Sequence, residues 1–245
     1  MRRPRLRDEK ERTGSELYPL GEFPKKVIYA ISRRLIYNFA IGKPDISGED
    51  WGNIFAKSIN GEHLSRPLGL ADVVFKKQAW SVKSVKSAKP HSCKKIRIIS
   101  GRNSPDYSYG ISAPRKNPEE TGKAIINIWN ERVNIALDKY DYIRTVMLIR
   151  NMKTLEFTLF ETETNKFVPG EYEWKINKKN NLEGINKVNK EHKFTWQPSG
   201  GQFTIIYSYI PASAVRFRIK KPLLLDFEKI IEKIGFQKNW VTIKE

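Results

Sequence analysis

An aspartate and a lysine lie on two neighbouring segments that both have the pattern of β-strands. Asp72 is near the start of the first segment, residues 71–75, and Lys83 is inside the second, residues 79–85. Side chains two residues apart share one face of a strand, so Lys83 lies on the face opposite Trp80. A turn between the segments would place Lys83 beside Asp72. Such a carboxylate and ammonium suit metal-dependent cleavage of a phosphodiester bond.

This chemistry commonly needs a second carboxylate from another element of the fold. Glu49 and Glu62 are the candidates that could complete the set. Glu49 falls in the first turn of a predicted helix, where the helix dipole alone would favour an acid. The sequence therefore leaves the second carboxylate open.

The chain is strongly basic, and its basic residues concentrate around Lys83. The 245 residues include 45 Lys and Arg against 27 Asp and Glu, which gives a formal net charge of +18. Residues 76–105 contain basic side chains and no acid. An excess of this size favours a polyanionic partner, because each neutralised phosphate releases counterions. We therefore predict that the protein binds nucleic acid.

Composition excludes several other classes of protein. Cys93 is the only cysteine, so an intramolecular disulfide and a cysteine-rich zinc site are both excluded. The apolar run at residues 27–41 is interrupted by Arg33 and Arg34 and is too short to cross a bilayer. The N-terminal residues lack the apolar core of a signal peptide. We expect a cytoplasmic protein with no membrane partner.

The spacing of apolar residues predicts an α/β (α+β) fold. Helical spacing occurs at residues 25–41, 47–61, 118–137 and 222–235, with Ser47 as a candidate N-cap. Strand patterns occur at residues 71–75, 79–85, 95–99 and 145–149, and further strands are expected at 155–160, 172–176 and 203–209. The polar residues 175–193 are interpreted as a long connection.

These segments resemble the type II restriction endonucleases of the PD-(D/E)XK nuclease superfamily, whose core runs α-β-β-β-α-β. Asp72 matches the first acid of the motif and Lys83 matches its lysine. Glu49 resembles the acid that many of these enzymes carry on the preceding helix. Four short segments are also similar to this class, at residues 80–83, 99–104, 129–132 and 194–197. The likeness extends from about residue 47 to 220.

The resemblance implies Mg²⁺-dependent, sequence-specific hydrolysis of phosphodiester bonds in double-stranded DNA. Asp72 and Glu49, or Glu62, would hold the metal, and Lys83 would orient or activate the water. A homodimer is expected because palindromic sites match two-fold symmetry. A DNA methyltransferase that protects the same sequence is the implied functional partner.

The chain departs from the motif at one position. Where the superfamily has Asp or Glu two residues before the lysine, this chain has Ser81, which removes a metal-binding charge. Glu49 is favoured as the compensating acid, while Asp50 and Glu62 remain open. Gln78 or Ser81 could instead supply a neutral ligand, or the site could be degenerate.

The resemblance also predicts the domain organisation. Residues 1–24 would form a basic N-terminal arm, and residues 25–245 a single endonuclease domain with a mixed central β-sheet flanked by helices. Within it, residues 47–150 would be the catalytic core, and the strand-rich residues 151–220 would recognise DNA before the C-terminal helix at 222–235. Candidate DNA contacts, since Arg suits guanine and Asn suits adenine, are Lys86, Arg102, Asn103, Asn130, Arg132, Gln197 and Gln202.

Two other functions are compatible with the sequence. The first is a non-catalytic nucleic-acid-binding protein in which Asp72 is structural, and Ser81 is its best support. The second is a nuclease of the same fold that acts in repair or on RNA.

Overall fold

A computed structural model describes residues 16–64 and 70–244. The described residues form five α-helices: α1 (Lys25–Ala40), α2 (Gly48–Ile59), α3 (Pro105–Tyr109), α4 (Pro118–Leu137) and α5 (Phe227–Lys233). They also form eleven strands: β1 (Glu62–His63), β2 (Val73–Phe75), β3 (Gln78–Lys86), β4 (Ile96–Arg102), β5 (Tyr142–Asn151), β6 (Glu156–Glu163), β7 (Tyr172–Ile176), β8 (Leu182–Asn186), β9 (His192–Gln197), β10 (Gln202–Tyr207) and β11 (Val215–Arg218). The fold is therefore mixed α and β, as predicted.

The central sheet has six strands in the order β1-β2-β3-β5-β6-β11. Its neighbouring strands are antiparallel except β3 and β5, which pair in parallel from Gln78 opposite Tyr142 to Lys86 opposite Arg150. A parallel pair needs a crossover connection, and the chain supplies it with β4, α3 and α4. β5 is buried along most of its length, as its nearly continuous apolar sequence indicates.

The second sheet is antiparallel, with the order β4-β10-β9-β8-β7. The strand expected at residues 95–99 belongs to this sheet as β4, so it is not the third strand of the central sheet. The central sheet instead has an additional strand before β2: this is β1, which pairs with β2 through Glu62 and His63. Two residues are too few to show the alternation that identifies a strand, which explains why the sequence did not predict β1.

Three apolar clusters divide the protein into layers. On one face of the central sheet, helices α1 and α2 pack against Trp80 and Val82. On the other face, Met147 and Ile149 contact apolar residues of β4 and form the junction with the second sheet. Helix α4 packs on the second sheet, where Trp129 contacts the Phe203 ring with centroids 5.9 Å apart. Lys83 therefore faces the layer that contains α4 and β4.

Several element boundaries follow directly from local chemistry. Ser47 is the N-cap of α2: its hydroxyl accepts a hydrogen bond from the Asp50 backbone N–H at 3.0 Å, and the Asp50 carboxylate accepts one from the Ser47 N–H. Helix α4 begins at a proline and has the bounds that the apolar spacing predicts.

Other boundaries differ from those predicted. Residues 16–24 of the predicted arm pack into the domain, where Tyr18 and Phe23 are buried; residues 1–15 lie outside the described residues. The polar connection predicted at residues 175–193 contains β8, whose Leu182 is fully buried. The C-terminal helix is shorter than predicted, and none of its residues is buried.

Within the described residues, no helix is long and apolar enough to cross a membrane.

Candidate active site

Asp72 and Lys83 form a hydrogen-bonded ion pair at the point where β2 begins to pair with β3. The Asp72 Oδ2 accepts hydrogen bonds from the Lys83 Nζ at 3.0 Å, the Val82 backbone N–H at 2.8 Å and the Ser81 Oγ at 3.3 Å. Both charged side chains are about one-quarter exposed. The juxtaposition expected from strand alternation is therefore present. The pair is accessible to a ligand.

The pairing of β3 explains why this position is open. β3 pairs with β5 along its whole length but with β2 only over Gln78–Trp80. The Asp72 N–H extends that ladder by one bond to the Trp80 carbonyl. Beyond it, the Asp72 carboxylate takes the place of a backbone partner for the Val82 N–H. Among the described residues, the second half of β3 is thus a strand edge with a carboxylate at its beginning.

Arg132, on α4, brings a second positive charge to Asp72. Its Nη1 donates to the Ser100 carbonyl at 3.3 Å and to the Asn103 Oδ1 at 3.4 Å. Burial lowers the pKa of the Arg132 guanidinium, and the negative charge of Asp72 offsets part of this shift. Arginine remains a cation under such a shift. Arg132 is a predicted DNA contact, and no local sequence signal places α4 near Asp72.

Gly101 provides the space in which the Arg132 guanidinium lies. A Cβ atom on Gly101 would be 2.0 Å from the Arg132 Nη1 and 2.7 Å from its Cζ. Gly101 also has a φ of +128°, a value that residues with side chains rarely adopt. A glycine is therefore required here both by the backbone and by the neighbouring cation.

Glu62 lies on the same face of the central sheet as Asp72 and Lys83. It pairs with Val74, two residues from Asp72, so Glu62 and Asp72 are diagonal neighbours on adjacent strands. Residues in that relation are about 7–8 Å apart, and their Cβ atoms are somewhat closer. Among the candidate second carboxylates, Glu62 is thus the one that strand pairing places on the same face of the sheet as Asp72.

Glu49 approaches from the other side of the sheet. It is an exposed residue in the first turn of α2, which packs on the face of Trp80. Gly52, one turn further along α2, contacts the ring of His63. Glu49 is thus carried by a helix on the face opposite Lys83, and its role as the second carboxylate stays a prediction.

The remaining candidate ligands are engaged elsewhere. The Asp50 carboxylate caps α2 and pairs with Lys43, and the Lys43 ammonium holds the pKa of that carboxyl below its usual value. The Gln78 Oε1 accepts a hydrogen bond from the Leu17 N–H. Across residues 16–64 and 70–244, no group of three or more His, Cys, Asp or Glu side chains is arranged to hold a metal ion.

Two predicted DNA contacts are structural residues in this conformation. Asn103 is fully buried, and its Nδ2 donates to the Ile125 carbonyl at 2.9 Å. Asn130 exchanges two hydrogen bonds with the backbone of Phe167, at 2.7 and 2.8 Å. Their amides hold α4 to neighbouring segments, so neither is presented to a nucleic acid. The sequence alone does not show whether an asparagine amide binds the protein's own backbone or is free to contact a base.

Lys86 lies at the far end of β3 and is largely exposed. Its Nζ is 2.7 Å from Asp45, which also accepts from the Arg150 Nε at 3.0 Å. Burial raises the pKa of the Asp45 carboxyl, but hydrogen bonds from Arg150 and Lys86 outweigh it and hold that pKa well below its ordinary value. Lys86 is three residues from Lys83 along β3 and so lies on the opposite face, and its role as a DNA contact stays a prediction.

The other three predicted contacts form one row across the second sheet. Gln202 is directly opposite Arg102 on β4 and directly opposite Gln197 on β9. Arg102 is exposed, and both glutamines are partly exposed. We call these three residues the polar row. The sequence identified its members but not their alignment.

Comparison of the chain with protein-family models, with curated proteins and with solved structures found no match.

Proposed function

We propose that this protein is a Mg²⁺-dependent, sequence-specific endonuclease of double-stranded DNA, similar to the type II restriction endonucleases. The observation that carries the proposal is the Asp72–Lys83 pair at the open edge of β3, with Arg132 nearby. This arrangement joins one carboxylate to two cations in a strongly basic chain. A phosphodiester is the ligand that such a set suits best.

The order of elements around the pair supports the same proposal. Helix α2 is followed by the antiparallel strands β1, β2 and β3, then by the crossover with α4, and then by β5 parallel to β3. Apart from β4 and α3 within the crossover, this order resembles the α-β-β-β-α-β order of the PD-(D/E)XK core, with Asp72 next to the second strand and Lys83 on the third. The order uses β1 in place of the strand at residues 95–99.

The residues present are compatible with a magnesium ion. Within the described residues, the three hydrogen bonds to the Asp72 carboxylate end on Oδ2 and none ends on Oδ1. Mg²⁺ is usually held by one or two carboxylates together with substrate phosphates and water, at about 2.1 Å. Asp72 would be one ligand, and Glu62 lies within side-chain reach as a second. When bound, the ion supplies polarisation of the phosphate and stabilises the leaving oxygen.

The protein's own residues would do the remaining work. Lys83 would orient or activate the attacking water, and its ammonium is already fixed by Asp72 at 3.0 Å. Arg132 would contact a phosphate oxygen and compensate its charge, since its guanidinium is held by two backbone-anchored acceptors. Ser81 contributes a neutral hydroxyl where a second acid would stand. Asp72 and Glu62 would balance the charges of Lys83 and Arg132, so a bound Mg²⁺ ion would supply the net positive charge that favours a phosphate.

The proposal is tested by two substitutions that remove its central groups. Asp72→Asn removes the carboxylate charge with little change of shape, and Lys83→Ala removes the ammonium. Each is expected to abolish plasmid cleavage in Mg²⁺, by at least about a hundredfold, while DNA retention in a gel-shift assay is largely kept. Lys77→Ala is the matched control, because Lys77 is an exposed lysine in the β2–β3 turn. It should cleave like the unmodified protein.

Full cleavage by either site variant would show that the site is misassigned. DNA that is shifted but left intact by the unmodified protein would favour a non-catalytic nucleic-acid-binding protein, for which Ser81 is the supporting observation. Cleavage without preferred ends would favour a repair nuclease, and cleavage of RNA alone an RNA nuclease. A homodimer and a protecting DNA methyltransferase are proposed on the resemblance alone.

A further inference from the structure

The tip of the β9–β10 hairpin presents amide side chains beside an exposed arginine. Residues 198–201 form the turn of this hairpin, and Gln197 and Gln202 flank it as a facing pair. Arg102 continues the same row on β4. Adjacent strands are about 4.8 Å apart, so the polar row spans about 10 Å.

The two faces of the second sheet differ sharply at this end. Trp196 and Phe203 are buried against α4, whereas Gln197 and Gln202, one position along each strand, point the opposite way. Strands β4, β9 and β10 contain no acidic residue. Their outward side thus offers donors and positive charge to an approaching polyanion.

The hairpin tip is rigidly joined to the segment that positions Arg132. The Asn103 N–H donates to the Gly201 carbonyl at 2.7 Å, and the Trp196 Nε1 donates to the Asn103 carbonyl at 2.9 Å. The Asn103 Oδ1 also accepts a hydrogen bond from the Arg132 Nη1, and Gly101 borders the Arg132 guanidinium. One short segment, residues 100–103, therefore fixes the polar row relative to the candidate catalytic cation.

We propose that the β9–β10 tip and Arg102 are the base-reading element, which enters the major groove and discriminates among about three consecutive base pairs. This inference rests on the proposed function for its DNA substrate. The major groove admits a two-stranded β-ribbon, in which Arg makes bidentate bonds to guanine and Gln to adenine. Successive bases on a strand are about 3.4 Å apart, so a 10 Å row matches about three steps.

The inference is tested by selecting preferred duplexes from a randomised library. Binding is scored in EDTA and cleavage in Mg²⁺, for the full chain and for Arg102→Ala, Gln197→Ala and Gln202→Ala. Each substitution is expected to reduce base discrimination about 5- to 150-fold at one or two adjacent positions, with the rest of the preferred sequence kept. Melting temperatures establish that each variant is folded.

Two further variants separate base reading from simple charge. Arg102→Lys keeps the charge but not the planar fork, so total affinity should persist while guanine discrimination is lost. Lys175→Ala is the control: it removes an exposed charge from the same sheet at the distant strand β7. Its preferred sequence should be that of the unmodified protein.

The outcomes distinguish this inference from the proposed function. If the unmodified protein prefers one sequence but does not cleave DNA, and the variants lose that preference, then the nuclease proposal is wrong and the base-reading element is supported. If the unmodified protein cleaves at a preferred sequence and all three variants keep the same preference, then only the base-reading element is wrong. Uniform weakening at every sequence would mean phosphate contact only, and no preferred duplex at all would overturn the inference.

Discussion

Substitution of Gly101 by alanine is the change that most sharply tests how the site is held together. The new Cβ would be 2.0 Å from the Arg132 Nη1, whereas ordinary contacts begin at 3.4 Å, so this atom must move by about 1.4 Å. Its hydrogen bonds to Ser100 and Asn103, at 3.3 and 3.4 Å, are already long. A shift of that size in the required direction would break them. Arg132 would then leave its position near Asp72.

The cost to stability has two parts that can be separated. A side chain at the Gly101 φ of +128° costs on the order of 1–3 kcal/mol in backbone strain. For a chain of this size that lowers the melting temperature by roughly 2–12 °C. Displacing the end of a flexible arginine adds less to the unfolding free energy, but it removes a positioned charge from the site. We therefore expect cleavage to fall by more than about a hundredfold, well beyond the stability effect.

The assay is a double-mutant cycle of Gly101→Ala and Arg132→Ala, read by thermal unfolding and by plasmid cleavage. The clash is absent when Arg132 is already truncated, so Gly101→Ala should have almost no further effect on cleavage in that background. Gly110→Ala is the matched control, because Gly110 also has a positive φ, +69°, but a Cβ there meets no atom within 4 Å. It should lose stability and keep cleavage.

Two results would refute this reasoning. Additive losses of cleavage in the double variant would mean that Gly101 does not act through Arg132. Full cleavage by Gly101→Ala alone would mean that the position of Arg132 is unimportant for catalysis.

Three further predictions follow from the site and its surroundings. Ser81→Asp places a second carboxylate beside Asp72, because the Ser81 Oγ is 3.3 Å from the Asp72 Oδ2. Without metal, repulsion between the two carboxylates should destabilise the protein by about 1 kcal/mol. Mg²⁺ should then raise the melting temperature of this variant more than that of the unmodified protein. Equal responses to Mg²⁺ would contradict metal binding here. Asp45 has a pKa held below its ordinary value of 3.8 by Arg150 and Lys86 against burial, so its stabilisation is present above about pH 4 and is lost as the pH falls further. In urea unfolding, Asp45→Asn should be less stable by at most about 1 kcal/mol at pH 7, because the side chain is one-third exposed, and the gap should narrow steadily as the pH falls below about 4; a constant gap would refute the ion-pair account. Asn103→Ala should lower the unfolding free energy by about 1–3 kcal/mol, since it removes the buried Nδ2 hydrogen bond to the Ile125 carbonyl and the Oδ1 acceptor of the Arg132 guanidinium; unchanged stability with weakened DNA binding would restore Asn103 as a DNA contact.

The parts of the fold that the sequence predicted are those fixed by local chemistry. Helix α4 and strand β7 have the predicted bounds, and Ser47 caps α2 as expected. Asp72 and Lys83 meet because strand alternation and one turn decide their position. These features depend on neighbouring residues alone.

The parts that the sequence missed depend on contacts between distant residues. β1 is recognisable only by its pairing with β2, and β4 joins the second sheet through β10, about a hundred residues later. Residues 16–24 look like a polar arm, but Tyr18 and Arg144 meet around the buried Glu161 carboxylate. Arg132 lies close enough for the charge of Asp72 to influence its pKa, and its guanidinium occupies space that a side chain at position 101 would fill. None of these relations has a local signal.

The most direct test of the central claim is the cleavage pattern of phage DNA in Mg²⁺ and in EDTA, with fragment ends sequenced. The account predicts discrete fragments in Mg²⁺ alone, whose ends share one sequence. DNA left intact in Mg²⁺, or the same products in EDTA, would contradict it.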